Sequence, residues 1–138
     1  MAESERTYIM LKPDCVQRGL MGEVIHRIER KGYQITAMKM MTLDEPIIKE
    51  HYAHIANEDW FPVMIDYMTS GPVVAMIVEG VDAIAGMRRL MGPTMNAKAE
   101  AGTIRGDLTT SNRLNLIHGS DSKESAEAEI KRFFGPEA

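Results

Sequence analysis

Cysteine is almost absent from this chain, and its single thiol, Cys15, cannot form an intramolecular disulfide framework. No apolar run approaches the roughly 18 residues that a membrane-spanning helix requires. The opening residues, MAESERTYIML, also lack the basic segment and the long apolar stretch of a signal peptide. These absences predict a soluble cytoplasmic protein, in a compartment that keeps thiols reduced, with no membrane partner.

Positive charge is scarcer than negative charge. The chain has 16 lysines and arginines against 20 aspartates and glutamates, which gives a formal net charge of −4. Surfaces that bind nucleic acids or anionic membranes are usually basic, so such a surface is not expected as the main binding site. A local basic pocket for a small anion remains compatible with this composition.

The common nucleotide-binding and catalytic loops are missing as well. No G-x-x-x-x-G-K-[ST] segment is present, and no G-x-G-x-x-G follows a predicted strand. A G-x-S-x-G nucleophile elbow and a cysteine pair for zinc are absent too. Phosphates, if this protein binds them, must therefore be held by another arrangement of residues.

What remains is an alternation of strand and helix patterns over 138 residues, which we interpret as one domain spanning residues 1–138. Apolar runs predict strands at 7–11, 33–43, 73–78 and 116–118, and helical periodicity begins near residues 21, 45, 60, 82 and 121. Asp44, Asp82 and either Asp121 or Ser122 are expected to cap the helices that they precede. This order predicts an α+β fold, a ferredoxin-like sandwich whose helices pack around a four-stranded antiparallel sheet. Residues 92–115 show no periodicity, and an irregular segment of that length is usually functional.

The four histidines differ in their sequence context. His26 lies on the polar side of a predicted helix and is expected at the surface. His51 and His54 have a spacing that could share a metal, but without a third ligand we favour solvated or locally bonded side chains. His118 ends an apolar segment just before a helix N-terminus. It is either a buried, satisfied histidine or a nucleophile whose phosphorylated form faces the positive end of that helix.

The irregular segment and its approach also carry basic and polar side chains, each of which alone is usually a solvated surface group. Arg105 stands between Gly102 and Gly106, and glycines allow the backbone to approach a ligand closely. Arg105-Gly106-Asp107 also resembles an integrin-binding signature, which the missing secretory segment disfavours. The candidate ligand-binding side chains are Lys12, Arg88, Thr94, Arg105, Arg113 and Asn115.

Six segments of the chain resemble nucleoside diphosphate kinase, in order and at that family's spacing. They are residues 6–14 (RTYIMLKPD), 17–20 (QRGL), 51–52 (HY), 70–73 (SGPV), 102–107 (GTIRGD) and 117–122 (IHGSDS). The likeness extends from Glu5 to Phe134, and the segment around His118 is the most specific part of it.

This resemblance implies a magnesium-dependent ping-pong reaction with broad base tolerance. A nucleoside triphosphate would transfer its γ-phosphoryl group to His118, and a nucleoside diphosphate would then take it from the phosphohistidine. Phosphate on nitrogen has a transfer potential near that of the anhydride, so both half-reactions are reversible. Only a neutral imidazole has the lone pair needed for attack.

The resemblance also implies which residues bind the phosphates and the sugar. Lys12, Arg88 and Arg105 would neutralise phosphate charge, and Thr94 would add a hydrogen bond, as phosphoryl transfer requires. Lys12 and Asn115 would contact the sugar hydroxyl. Magnesium would be bound mainly through the nucleotide phosphates rather than by protein carboxylates.

The remaining implied residues surround the imidazole and the base. Glu129 would accept a hydrogen bond from the second imidazole nitrogen, with Tyr52 and Ser120 nearby. Trp60 stands where the family usually stacks a phenylalanine on the base, although a core anchor for its helix is the alternative. Met64 would form a second apolar wall, and stacking on an indole suits every base.

The sequence departs from the family pattern before Asn115. Asn112 replaces a usual apolar residue, and Leu114 stands where the family has an arginine, with Arg113 one place earlier. A nucleotide-binding regulatory module without turnover is therefore one alternative, and a nucleic-acid-binding or adhesive protein is another. The family resemblance implies a homo-oligomer but not its size.

Overall fold

The computed structural model describes residues 4–138, and its centre is a four-stranded antiparallel sheet. The strands are β1 (Ser4–Leu11), β2 (Gln34–Met41), β3 (Val73–Val81) and β4 (Ile117–Gly119), in the spatial order β2-β3-β1-β4. β1 pairs along its whole length with β3, from Ser4 opposite Val81 to Leu11 opposite Val74. This arrangement confirms the ferredoxin-like prediction.

Seven α-helices of the described residues surround the sheet. They are α1 (Pro13–Gln17), α2 (Met21–Lys31), α3 (Glu45–His51), α4 (Phe61–Met68), α5 (Ala83–Met91), α6 (Ile104–Leu108) and α7 (Lys123–Phe134). Single 3₁₀ turns lie at Ala53–Ile55 and Asn96–Lys98. Among residues 4–138, no helix is both long and apolar enough to cross a membrane.

Two helix starts follow the sequence prediction. The Asp44 side chain accepts a hydrogen bond from the Ile47 N–H and begins α3, with Pro46 in the first turn. Ser122 accepts one from the Ser125 N–H and begins α7. The prediction that Asp82 caps α5 is wrong, because its side chain makes no capping bond and its φ is 57°. Glu5, on β1, accepts the Ile84 N–H instead, at 3.0 Å.

The 92–115 segment is more regular than its sequence pattern predicted. It contains α6, whose first turn is capped by Thr103 accepting from the Gly106 N–H. Five residues are too few to show a helical period. A Cβ on Gly106 would lie 1.9 Å from the carbonyl oxygen of Glu100, so this glycine admits neighbouring backbone rather than a ligand.

Apolar residues pack on both faces of the sheet. Alternate positions of β1 separate the two sets, because successive side chains of a strand point to opposite faces. Ile9 and Leu11 join the side chains of α2 and α5. Tyr8 and Met10 join those of α3, α4 and α7. Met10 pairs with His118 on β4, so the inner strand β1 holds the backbone of the candidate nucleophile in place.

Candidate active site

A cavity of about 490 Å³ opens beside the end of β1 and the start of β4. Residues from distant parts of the chain meet there. Two predicted site residues, Ser120 and Glu129, do not line this cavity. Glu129 contacts His118, and Ser120 contacts Glu129. The predicted residues that line the cavity are Lys12, Tyr52, Trp60, Met64, Arg88, Thr94, Arg105, Arg113, Asn115 and His118.

The His118 imidazole is held from one side. Its Nε2 lies 2.9 Å from Oε1 of Glu129, on α7. The same carboxylate oxygen accepts the Ser120 hydroxyl at 2.6 Å. A carboxylate can only accept from the imidazole, so Nε2 carries the proton and Nδ1 keeps a lone pair. Since β4 holds the backbone of His118, the ring orientation is set by Glu129.

The protonation of this pair follows from burial and from the contact itself. Burial lowers the pKa of His118 below its ordinary value, and the Glu129 carboxylate only partly offsets this. Burial acts to raise the pKa of Glu129, but the hydrogen bonds from His118 and Ser120 and the electrostatic effect of the two nearby histidines together outweigh it, and the net shift is downward. Near neutral pH the site therefore holds a neutral imidazole beside an ionised carboxylate.

Lys12 and Asn115 form a buried polar pair at the end of β1. The Lys12 Nζ donates to Oδ1 of Asn115 at 2.7 Å. Burial and the nearby Arg105 guanidinium lower the pKa of Lys12 to about 8. A buried ammonium of this kind is ready to gain an anionic partner, because the added negative charge would stabilise its proton.

Arg105 is anchored to the backbone around the site. It is 5% exposed. Its Nε donates to Asn115 O at 3.2 Å, Nη1 to Gly92 O at 2.8 Å and Nη2 to Ile117 O at 2.6 Å. A guanidinium has five N–H donors, so two remain for a ligand. Arg105 thus has a structural role that its sequence context did not indicate.

Two further predicted phosphate ligands are exposed on the cavity rim. Arg88, in the last turn of α5, donates from Nη1 to the carbonyl of Gly119 at 3.1 Å. Thr94 lies in the turn that follows α5 and is exposed. Together with Lys12, Arg105 and Arg113, Arg88 gives the cavity a cationic lining, and no carboxylate lines it within residues 4–138.

α4 provides a largely apolar wall. Trp60 immediately precedes this helix and is 44% exposed, so the core-anchor interpretation is wrong. Val63 is 46% exposed and Met64 is half-buried beside it. Tyr67 also lines the cavity. An exposed indole on a cavity wall is suited to stacking on a planar ligand.

The divergent segment before Asn115 is closed by its own hydroxyl groups. The Ser111 hydroxyl oxygen accepts the N–H groups of Arg113 and Leu114, at 3.1 and 2.9 Å. The Asn112 side chain accepts the Asn96 N–H at 2.6 Å. Since Asn115 still reaches Lys12, the altered residues leave the polar pair intact.

Among residues 4–138, His51 and His54 do not belong to a common cluster of possible metal ligands. His54 is exposed, whereas His51 is buried and its Nδ1 lies 2.9 Å from Nη1 of Arg132. This confirms the expectation of local bonding for His51. His51, His118 and Glu129 have ligand atoms within 4.8 Å of one another. The guanidinium must donate to Nδ1, so the His51 proton is on Nε2, and burial lowers the pKa of this histidine to about 3.

The geometry suits phosphoryl transfer to and from nucleotides. It combines an oriented, neutral imidazole with several cations and an exposed aromatic wall. Phosphoryl transfer depends mainly on such positioning and charge neutralisation. His26, by contrast, is exposed on α2, away from the cavity lining, as predicted.

Comparisons with known proteins agree with this geometry. The family model described as nucleoside diphosphate kinase matches residues 5–138. Nucleoside diphosphate kinase A 2 of Bos taurus is 51% identical over 137 residues, which cover 99% of this chain and 90% of that protein. A nucleoside diphosphate kinase of Listeria monocytogenes is 50% identical over 133 residues, covering 96% and 90% of the two chains.

A solved structure shows the same fold. The nucleoside diphosphate kinase of Halobacterium salinarum, in complex with CDP, superposes with a TM-score of 0.91 at 46% identity. The alignment covers 96% of this chain and 88% of the other. The chain therefore belongs to the nucleoside diphosphate kinase family. Its reaction is the reversible transfer of a phosphoryl group between nucleotides, and the regulatory-module and adhesive alternatives lose their support.

Proposed function

We propose that His118 of this chain carries the phosphoryl group between the two half-reactions. The observation that supports this most is the 2.9 Å bond from Nε2 to Glu129, which leaves the lone pair on Nδ1. Nδ1 attacks the γ-phosphorus, the bond from that phosphorus to the bridging oxygen breaks, and the electron pair leaves with the diphosphate. A second diphosphate reverses these steps with its terminal oxygen.

Glu129 and Ser120 stabilise the phosphorylated ring in this proposal. As the N–P bond forms, the imidazole gains positive charge, and an adjacent carboxylate lowers the energy of that charge. Ser120 is 1% exposed, and its own N–H donates to the Tyr8 carbonyl at 3.1 Å. Its hydroxyl therefore holds the carboxylate in place from a fixed backbone position.

Four side chains are assigned to the phosphates. Lys12, Arg88 and Arg105 neutralise charge on the phosphate oxygens, and Thr94 donates a hydrogen bond. Tyr52 is assigned to the phosphoryl group on His118. Its buried hydroxyl has no partner among residues 4–138, and such a group is costly unless a ligand satisfies it.

We assign Mg²⁺ to the nucleotide rather than to a protein cage. The cavity lining fits this, because its charged side chains are cationic and a hard divalent ion needs oxygen ligands. When bound with the nucleotide, Mg²⁺ supplies neutralisation of charge shared by the phosphate oxygens. Lys12 and the two free N–H groups of Arg105 then bind the remaining oxygens.

The nucleoside is placed against α4 and the 109–115 loop. Trp60 stacks on the base and Met64 packs beside it, which accounts for broad base tolerance because every base has a π-face. Lys12 and Asn115 bind the sugar hydroxyl. The Halobacterium salinarum relative was solved in complex with CDP, which supports a nucleotide as the ligand of this chain.

We also propose that residues 1–138 form one domain. The chain would assemble as a homo-oligomer and work in the cytoplasm. β2 is one of the two outer strands of the sheet, and its Met38 and Met40 are 53% and 54% exposed. An outer strand with exposed apolar side chains is a surface that proteins usually cover. The buried free thiol of Cys15 suits a reducing compartment. The net charge of −4 gives no support to a nucleic-acid partner.

Steady-state kinetics test the proposed cycle. With ATP varied at several fixed concentrations of a diphosphate, double-reciprocal plots should be parallel, as expected for a ping-pong reaction. His118→Ala should abolish turnover while the protein still binds ADP. Intersecting lines, or substantial turnover by His118→Ala, would contradict the assignment of His118.

A further inference from the structure

Asp14 is a buried carboxylate that the proposed cycle does not use. It is 6% exposed and lies in the first turn of the short helix α1. One carboxylate oxygen, Oδ2, accepts the N–H of Leu116 at 3.1 Å, and the other accepts the hydroxyl of Tyr67. Neither bond goes to the N–H groups of α1, so the side chain joins distant elements instead of capping its own helix.

The backbone at Leu116 requires such a restraint. Its φ is 75°, in the left-handed region that bulky L-residues rarely adopt, and its side chain is fully buried. The N–H of Ile117 closes the turn on the Asn115 carbonyl at 2.9 Å. A strained residue persists only where its surroundings hold it, and Asp14 and the Lys12 N–H, which donates to Leu116 O at 2.8 Å, are its polar restraints.

This strained turn presents the polar groups of the site. Immediately before it, the Asn115 side chain accepts from the Lys12 ammonium. The carbonyls of Asn115 and Ile117, on either side of Leu116, accept from Arg105. A change of backbone angle at Leu116 would therefore move Asn115 relative to Lys12 and shift the anchor of Arg105.

The second partner of Asp14, Tyr67, belongs to the apolar wall of the cavity. Tyr67 lies on α4, the helix that Trp60 precedes, and lines the same cavity as Trp60 and Asn115. The apolar wall is thus connected to the strained turn through the Tyr67 hydroxyl, the Asp14 carboxylate and the Leu116 N–H. The contacts span 53 and 102 positions in the sequence.

We propose that Asp14 and Tyr67 are positioning residues that hold the Leu116 turn, and with it Asn115, in the orientation that binds the sugar 3′-hydroxyl. This inference rests on the proposed role of Asn115. A general loss of stability would impair all substrates alike, whereas this proposal limits the effect to substrates that carry the 3′-hydroxyl. Loss of the Tyr67 hydroxyl should impair substrates that have the 3′-hydroxyl more than substrates that lack it.

The experiment compares Tyr67→Phe with wild type and with Tyr33→Phe as the matched control. Tyr33 packs beside Gly80 and Gly86, away from the cavity lining, so its hydroxyl can be removed without touching the site. Each protein is phosphorylated with γ-labelled ATP, freed of nucleotide, and mixed with 2′-deoxyguanosine or 2′,3′-dideoxyguanosine diphosphate. Rapid quenching gives the rate of label discharge to each acceptor.

In Tyr67→Phe, the ratio of the deoxy to the dideoxy rate should fall about tenfold, within the roughly hundredfold that misplacing a positioned group by about 1 Å can cost. Tyr33→Phe should keep the wild-type ratio. A wild-type ratio in Tyr67→Phe, or an equal loss with both acceptors, would overturn the inference. Absence of label in the wild-type protein would instead overturn the phosphohistidine cycle, so the two failures are distinguishable.

Asp14 variants provide a second test at the same junction. Asp14→Asn keeps an acceptor for the Leu116 N–H, whereas Asp14→Ala removes it. The deoxy-to-dideoxy ratio should therefore fall less in Asp14→Asn than in Asp14→Ala. Equal ratios in the two variants would argue against a role for this hydrogen bond in binding the 3′-hydroxyl.

Discussion

The Nε2 atom of His118 lies 2.9 Å from Oε1 of Glu129, and the same oxygen accepts the hydroxyl of Ser120. Oε1 of Glu129 therefore connects α7 to β4 and to the turn that follows β4. It sets the tautomer that leaves Nδ1 free to attack phosphorus. The chemistry proposed for the cavity depends on this contact more than on any single cation.

Glu129→Gln should lower kcat by roughly a hundredfold, the usual cost of losing one preorganised electrostatic contact. The amide can still accept from Nε2, but it has no negative charge to stabilise the phosphorylated ring. Glu127→Gln is the matched control, since Glu127 lies on the same helix and pairs with Arg6 away from the cavity. Single-turnover phosphorylation by ATP measures the effect. Equal rates in both variants would contradict the role of Glu129.

The profile of kcat/KM against pH should fall on the alkaline side near pH 8, because Lys12 has a pKa of about 8 and only its protonated form neutralises phosphate. In kcat, which reports the enzyme with nucleotide bound, the fall should shift to higher pH, since phosphate charge raises the lysine pKa. Initial rates across pH 6 to 10 test this. Lys12→Arg should remove the alkaline fall, as arginine does not titrate there.

On the acidic side of the same profile, kcat/KM should fall only at a pH below the ordinary histidine pKa of about 6.5. Burial lowers the pKa of His118, so the neutral, nucleophilic form persists at mildly acidic pH. Phosphohistidine formation should therefore remain fast at pH 6, when measured by rapid quench. A fall that begins above pH 7 would show that His118 is charged more easily than its surroundings indicate.

Trp60→Ala should weaken binding of ADP by about 1–3 kcal/mol, the usual contribution of one base stack. Trp60→Phe, which keeps an aromatic ring, should recover most of this loss. Calorimetric titration of the unphosphorylated enzyme gives the dissociation constants. If Trp60→Ala binds ADP as tightly as wild type, the exposed indole does not contact the base.

Arg88→Ala and Arg105→Ala should differ in stability although both lower kcat/KM. Arg88 is exposed, whereas Arg105 donates to three backbone carbonyls. Loss of Arg105 leaves buried carbonyl oxygens without donors, which costs about 1–3 kcal/mol of folding stability for each. The Arg105 variant should therefore have a Tm several degrees lower. Thermal unfolding followed by circular dichroism compares the two. Equal Tm values would show that water replaces the lost bonds without cost.

The order of strands and helices was predictable because each long element has its own hydrophobic period. Short elements were not: α6 has five residues, and Glu5 rather than Asp82 caps α5 through a contact 79 positions distant. Local patterns carry no information on contacts of that range. For the same reason, the contacts of Asp14 with Tyr67 and Leu116 could not be predicted from the sequence pattern.

The site was only partly accessible from residues alone. The position of His118 before a helix left a nucleophile and a satisfied core histidine equally open, and the resemblance to a known family was needed to assign the roles of Lys12, Arg105 and Glu129. The structure adds what a resemblance cannot supply, namely that Trp60 is exposed and that Arg105 is anchored to the backbone. It also shows that hydroxyl groups close the divergent loop before Asn115.

The most direct test of the account is to incubate the protein with Mg²⁺ and γ-labelled ATP, without an acceptor, and to isolate it. We predict an acid-labile, alkali-stable label that is absent from His118→Ala and that passes to added GDP, CDP or UDP. A folded protein that binds ATP but takes no label would contradict the phosphohistidine cycle. So would a label that is stable in acid, or one that persists in His118→Ala.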